Sequence, residues 1–175
     1  MVQNCLGDGL LIGAPAGNLH GNGPNSIYSN SWFRNNGGHG VNVEGDTTDT
    51  NFVNNWISDS GRSALYMRSA AGWQISGNHL YATSEHAIFA EACFATAIHD
   101  NYVEDFGRNN TDAPAGNASP TANASRYYGI GCRVQGGAST IISNNKVYRF
   151  PTQEQHGYKQ AVFAYIGTTM TSTSI

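Results

Sequence analysis

Residues 78–101, "NHLYATSEHAIFAEACFATAIHDN", decide the fold. The stretch opens on Asn78 and closes on Asn101, 23 positions on. Its apolar residues make neither one helical stripe nor one long strand. What recurs is a frame, with an apolar residue three before each Asn and another two after it. Ile75 and Leu80 frame Asn78, and Ile98 and Val103 frame Asn101. Further out, Phe52 and Ile57 frame Asn55, Ile27 and Trp32 frame Asn30, and Ile142 and Val147 frame Asn145. These anchors lie 25, 23, 23 and 44 residues apart, so the last gap holds one period plus an insertion.

A second block recurs between the anchors: "DGLLIG" (8–13), "HGVNVE" (39–44), "SALYMR" (63–68), "HAIFAE" (86–91), "YGIGCR" (128–133) and "QAVFAY" (160–165). Its second position is always Gly or Ala, and its third and fifth are apolar or small. Such alternation is a strand with one buried face. Strands that return every 23 or so residues with no helix between them stack in parallel on their own copies. Leu10, Val41, Leu65, Ile88, Ile130 and Val162 are then expected as one inward column.

Composition agrees. Charged residues are 12% of the chain, about half the usual share, while Gly, Asn, Ser and Thr are plentiful. That balance suits strands and turns better than helices. With 175 residues the chain can bury one core. A net charge of −3 without a basic cluster argues against a nucleic-acid partner. No apolar run reaches transmembrane length, which argues against a membrane-spanning role. Cys5, Cys93 and Cys132 have no metal-ligand spacing, and Cys132 falls in an inward column as an inert thiol.

The pattern resembles the right-handed parallel β-helix, the pectate-lyase-like superfamily with short repeats. The resemblance covers nearly the whole chain. It implies an all-β solenoid of about six coils over residues 1–175. Asn at the anchors suits a tight corner, because it tolerates left-handed backbone and can stack its amide in a ladder. Two stretches break the period and read as loops, 14–25 and 107–125. The second carries sequons at Asn109, Asn117 and Asn123, which an Asn- and Ser-rich loop also generates by chance. An uncapped solenoid exposes apolar coil ends. The chain is therefore expected to be part of a longer solenoid, with Val2 and Val162 exposed, or covered by adjoining coils or a second copy.

Stacking turns repeat positions into columns about 4.8 Å apart. The first outward position gives Asp8, His39, Ser63, His86, Tyr128 and Gln160. The middle one gives Leu11, Asn42, Tyr66, Phe89, Gly131 and Phe163, and the last Gly13, Glu44, Arg68, Glu91, Arg133 and Tyr165. Candidate catalytic residues are Glu44, Glu91, His39, Arg68 and His86. Candidate substrate-binding residues are Tyr66, Phe89, Arg133 and Asn42. Glu44 and Glu91 stand two coils apart, about 9.6 Å, close to the carboxylate spacing of an inverting glycosidase. Arg68 between them helps a carboxylate that acts as base and hinders one that acts as acid. The plainer reading of Glu44, Arg68, Glu91 and Arg133 is a surface charge ladder, about 0.2–1 kcal/mol per pair.

"GGHGVNV" also resembles the Gly-His-Gly strand of polygalacturonase-type glycosidases, with Asp8 one coil earlier and Arg68 in the place of a Lys. Gly7 and Tyr66 stand where that family has Asp and Arg, and its Asn-Thr-Asp motif is absent. Lyases of the fold use a basic residue to take a proton beside a carboxylate, a part open to Arg68 or His86. No cofactor is expected. The Asp residues of "EGDTTDT" could meet Ca²⁺, though a solvated turn is the ordinary reading. The expectation is a secreted or extracellular glycosidase or lyase acting on a polysaccharide or oligosaccharide along the exposed sheet. The alternative is a non-catalytic glycan-binding or structural segment, as in a fibre, adhesin or tailspike.

Overall fold

A computed structural model describes residues 1–13, 26–107, 129–133, 140–148 and 173–174. The strands are β1 (Val2–Gln3), β2 (Leu10–Gly13), β3 (Ile27–Ser29), β4 (Trp32–Asn36), β5 (Val41–Thr48), β6 (Asn51–Val53), β7 (Trp56–Ser60), β8 (Leu65–Ala71), β9 (Gln74–Ser76), β10 (His79–Tyr81), β11 (Ile88–Glu91), β12 (Ala97–His99), β13 (Tyr102–Glu104), β14 (Ile130–Arg133), β15 (Thr140–Ser143), β16 (Lys146–Tyr148) and β17 (Thr173–Ser174). Three parallel sheets run along the solenoid. Sheet 1 has the order β1-β4-β7-β10-β13-β16, sheet 2 β14-β11-β8-β5-β2, and sheet 3 β17-β15-β12-β9-β6-β3. Each coil takes one short strand in each sheet, and the hand is right-handed.

Every sheet sends a column inward. Phe33, Ile57, Leu80 and Val103 line sheet 1; Val41, Leu65, Ile88 and Ile130 line sheet 2; Phe52, Ile75, Ile98 and Ile142 line sheet 3. All are buried, and each aliphatic side chain so placed contributes about 1.5–3 kcal/mol. The expected sheet 2 column is present from Leu10 to Ile130. Val162 and the block 160–165 lie outside the described residues, as do the 14–25 loop, residues 108–125 of the second loop and all three sequons. Val2 is half-buried and packs on the core.

The small residue before each sheet 2 strand is a packing requirement. A Cβ on Gly40 would collide with Ile57 Cγ2, and one on Gly9 with the Asn36 amide. Ala64 and Ala87 in the same column are fully buried.

The Asn ladder is real, and its mechanism differs from the expected one. Asn55 N–H donates to Asn78 Oδ1, Asn78 N–H to Asn101 Oδ1, and Asn101 N–H to Asn145 Oδ1, at 2.9–3.0 Å. The left-handed residue is the one before each ladder Asn: Asn54, Gly77, Asp100 and Asn144 have φ of 52–65°. Asn30 belongs to this left-handed column, at φ 52°. The ladder position in its coil is Ser31, whose N–H donates to Asn55 Oδ1. The Asn30 frame is therefore one residue out of register. Ile27 and Trp32 face solvent, while Tyr28 and Phe33 turn inward.

Candidate functional site

The outward face of sheet 2 carries the predicted cluster. Strand register aligns Asn42 with Tyr66 and Glu44 with Arg68, then Phe89 with Tyr66 and Glu91 with Arg68, and Arg133 with Glu91. The expected columns are thus in place from β5 to β14. A one-residue bulge follows Glu44, where Thr47 rather than residue 46 pairs with Ala70. Bulges bend a strand and re-aim the adjoining side chains. Tyr128, Gln160, Phe163 and Tyr165 lie outside the described residues.

Two hydrogen-bonded groups organise this face. In the first, Asp8 Oδ1 accepts from His39 N–H at 2.6 Å, and Asp8 Oδ2 accepts from Asn42 Nδ2 at 2.8 Å. The same Asn42 amide reaches Glu44 Oε1 at 3.2 Å. Asn42 was expected to face water; clasped between two carboxylates it is buried, at 7% exposure. Its Oδ1 is buried too and has no hydrogen-bond partner among the described residues. In the second group, Tyr66 Oη donates to Glu91 Oε2 at 2.7 Å. Burial, then this hydrogen bond and the charge of Glu91, push the Tyr66 phenol well above its ordinary pKa. Tyr66 is therefore a neutral donor facing a carboxylate.

His39 is buried, and its Nδ1 accepts from Ser63 N–H at 3.2 Å, so a neutral ring carries its proton on Nε2. Burial first, and Arg62 next, lower its pKa to about 4. Asp8 opposes that shift without cancelling it. With Ser63 holding Nδ1, the neutral His39 ring presents Nε2–H rather than a free base at Nδ1. The flanking glycines have local causes. A Cβ on Gly38 would collide with the Asp8 carboxylate, and one on Gly40 with Ile57.

The aromatics also depart from expectation. Tyr66 and Phe89 were read as facing water, yet both are half-buried. His39 stacks on Tyr66 at 4.9 Å and 22°, Tyr66 on Phe89 at 6.1 Å and 15°, and His86 on Phe89 at 4.4 Å and 21°. Near-parallel rings cover one another's faces, so little face is left for a sugar ring. Arg68 is exposed, and Glu44 and Glu91 are half-buried. Among the described residues no group of three or more His, Cys, Asp or Glu converges to hold a metal. Asp49 of "EGDTTDT" is an exposed corner residue at φ 52°.

Sequence reasoning missed a feature on sheet 1. Trp32, Trp56, His79 and Tyr102 align outward on successive coils. The signal was available, because an aromatic ring follows each of the ladder residues Ser31, Asn55, Asn78 and Asn101. The misplaced anchor at Asn30 hid it by setting Trp32 in the same frame position as Ile57, Leu80 and Val103.

The model of the "right handed beta helix region" matches residues 2–151. No curated protein matches the sequence. Among solved structures, the chain is similar to an alginate lyase from Paenibacillus sp. str. FPU-7, with a TM-score of 0.51 and 12% identity over 79% of this chain and 45% of that one. It is also similar to the A-module of a mannuronan C-5 epimerase from Azotobacter vinelandii, with a TM-score of 0.50 and 14% identity over 97% of this chain and 54% of that one. The chain spans about half the length of these structures, and at such identity the likeness is one of fold.

Proposed function

The chain belongs to the right-handed β-helix family, and from that premise we propose that the outward face of sheet 2 is a glycan-cleaving surface of an extracellular, carbohydrate-active protein. The observation that carries the proposal is the Tyr66–Glu91 hydrogen bond at 2.7 Å on an outward strand face. A neutral phenol backed by a carboxylate is a proton relay. Tyr66 takes a proton from substrate or water while its own proton passes to Glu91. Glu44, two coils from Glu91 and beyond Arg68, supplies the second carboxylate that glycosidic cleavage commonly needs. Arg68, on the coil between Glu44 and Glu91, is placed to contact an acidic sugar. The similarity in fold to an alginate lyase and to a mannuronan C-5 epimerase module supports a polysaccharide substrate for this chain.

The flush stack of His39, Tyr66, Phe89 and His86 favours a second reading, in which the ladder only binds coil to coil in a non-catalytic segment. Incubation of the protein with alginate, polygalacturonate, xylan and a β-glucan separates the two. New reducing ends without absorbance at 232 nm identify a hydrolase; reducing ends with that absorbance identify a lyase. Tyr66→Phe and Glu91→Gln are each expected to lower cleavage about 100-fold or more, the usual worth of a positioned acid or base. Cleavage unchanged in both variants sinks the relay.

A further inference from the structure

The second aromatic column is built differently from the first. On sheet 1, Trp32 is 51% exposed, Trp56 38% and Tyr102 37%. Trp32 and Trp56 are tilted by 40° at 5.7 Å, Trp56 and His79 by 44° at 4.2 Å, and His79 and Tyr102 by 81° at 4.7 Å. Tilted rings do not seal one another, so part of each face stays open to solvent. Leaving such rings uncovered forgoes burial worth about 1.5–3 kcal/mol for a large side chain. The stripe repeats once per coil, a rise of about 4.8 Å.

A polar cleft lies beside it. Arg34 is two residues along β4 from Trp32 and so faces the same way. Gln3, Asn4, Arg34, Asn35 and Asp59 line a space of about 480 Å³, within the range of small-ligand sites. Arg34 Nε is 3.7 Å from Asp59 Oδ2, and Asn35 Nδ2 donates to Asn4 Oδ1 at 2.7 Å. The cleft thus offers donors and acceptors with charges balanced, Arg34 against Asp59. Further along the sheet, Glu104 Oε1 lies 3.4 Å from His79 Nε2 and Glu104 Oε2 accepts from Tyr102 Oη at 2.9 Å. Open aromatic faces next to a neutral mixture of amide, guanidinium and carboxylate fit a ligand with apolar C–H faces and a rim of hydroxyls.

The geometry points to a second glycan-binding surface on sheet 1, where a neutral oligosaccharide lies along the solenoid axis over Trp32, Trp56, His79 and Tyr102, with its hydroxyls in the Arg34–Asp59 cleft. It is separate from sheet 2 and does not require that face to be catalytic.

Tryptophan fluorescence tests it directly. Trp32 and Trp56 are exposed, and Trp73 is wholly buried and serves as constant background. Titration with cellohexaose and with xylohexaose is expected to give a saturable change with at least one of them. Trp56→Ala is expected to weaken binding about tenfold, and Trp56→Tyr to restore most of it, the scale of one aromatic contact. If Trp56→Ala fails to fold by circular dichroism, Arg34→Ala at an exposed position carries the test, with the same direction. No saturable change with either sugar overturns the proposal, as does full affinity in both variants. A fall in sedimentation coefficient on Trp56→Ala without sugar binding overturns it too, and makes the face a contact between copies of this chain.

Discussion

His39 shows what a single residue of this face does. Its folded pKa of about 4 lies below the ordinary histidine value, because burial and Arg62 disfavour the charged ring. The unfolded chain therefore takes up a proton near pH 6.5 and the folded one only near pH 4. Between those values the unfolded state binds more protons, so stability falls as pH drops through this window and is fully present above it. The loss reaches about 3 kcal/mol. Thermal melts from pH 7 to pH 4 should show this decline, and His39→Gln should flatten it; an equal slope in both proteins refutes the assignment. The thiols give a second residue-scale outcome. Burial pushes Cys93 and Cys132 up to about 12, while Cys5 is only half-buried. Iodoacetamide at pH 8 should label one thiol quickly and the other two only on unfolding. The Gly-His-Gly sequence was legible as a motif but not as a cause. Its glycines answer to Asp8 and Ile57, residues brought near by stacking, and no spacing along the chain announces that.

At the scale of the element, each corner divides two tasks between neighbours. One residue accepts the left-handed backbone, and the next inserts its amide into the ladder. Asn78 is the clearest member. Its Oδ1 takes Asn55 N–H, and its Nδ2 donates to Phe52 O and Asn101 Oδ1, all buried. Asn78→Ala orphans the Asn55 N–H and the Phe52 carbonyl, at about 1–3 kcal/mol for each buried group. Gly77→Asn, one residue earlier, should cost under about 1 kcal/mol. Asn already occupies this left-handed column at Asn54 and Asn144, and the side chain of Asn54 can shift to make room. Urea unfolding of the two variants checks the contrast; equal costs would mean that the ladder adds nothing beyond the turn. The ladder was readable from the recurrence of Asn every 23 residues. The register of its first rung was not, since Asn30 and Ser31 are both good corner residues. A slip of one position turns a strand inside out, which is why Trp32 fell in the frame position of Ile57 and the sheet 1 stripe stayed hidden.

For the molecule as a whole, the core is a bundle of columns rather than a sphere, and each side chain packs between copies of itself above and below. Leu65, Ile88 and Val41 are fully buried in one such column, while Ile141 on the outward side of β15 is 49% exposed. Alternation in the repeated blocks made this inside and outside legible, because a strand with one wet face writes its burial into every second residue. The closure of three sheets into one tube was not legible from the blocks alone, since the short strands of sheets 1 and 3 carry only one inward apolar residue each. Their columns come from the anchors' apolar neighbours. The same geometry fixes how damage spreads. A cavity at Ile88 removes contacts with Leu65 below and Ile130 above at once, and a stacked coil has no slack to collapse into it. Ile88→Ala should therefore cost about 2–5 kcal/mol, against under about 1 kcal/mol for Ile141→Ala. Because coils touch only their neighbours, stability in a solenoid is a sum over coils and interfaces. The cavity should thus show as a split or broadened urea transition for Ile88→Ala, with wild type and Ile141→Ala unfolding in single steps. A single sharp transition at lower urea for Ile88→Ala would mean that the coils unfold as one unit and that the column transmits its loss along the whole solenoid.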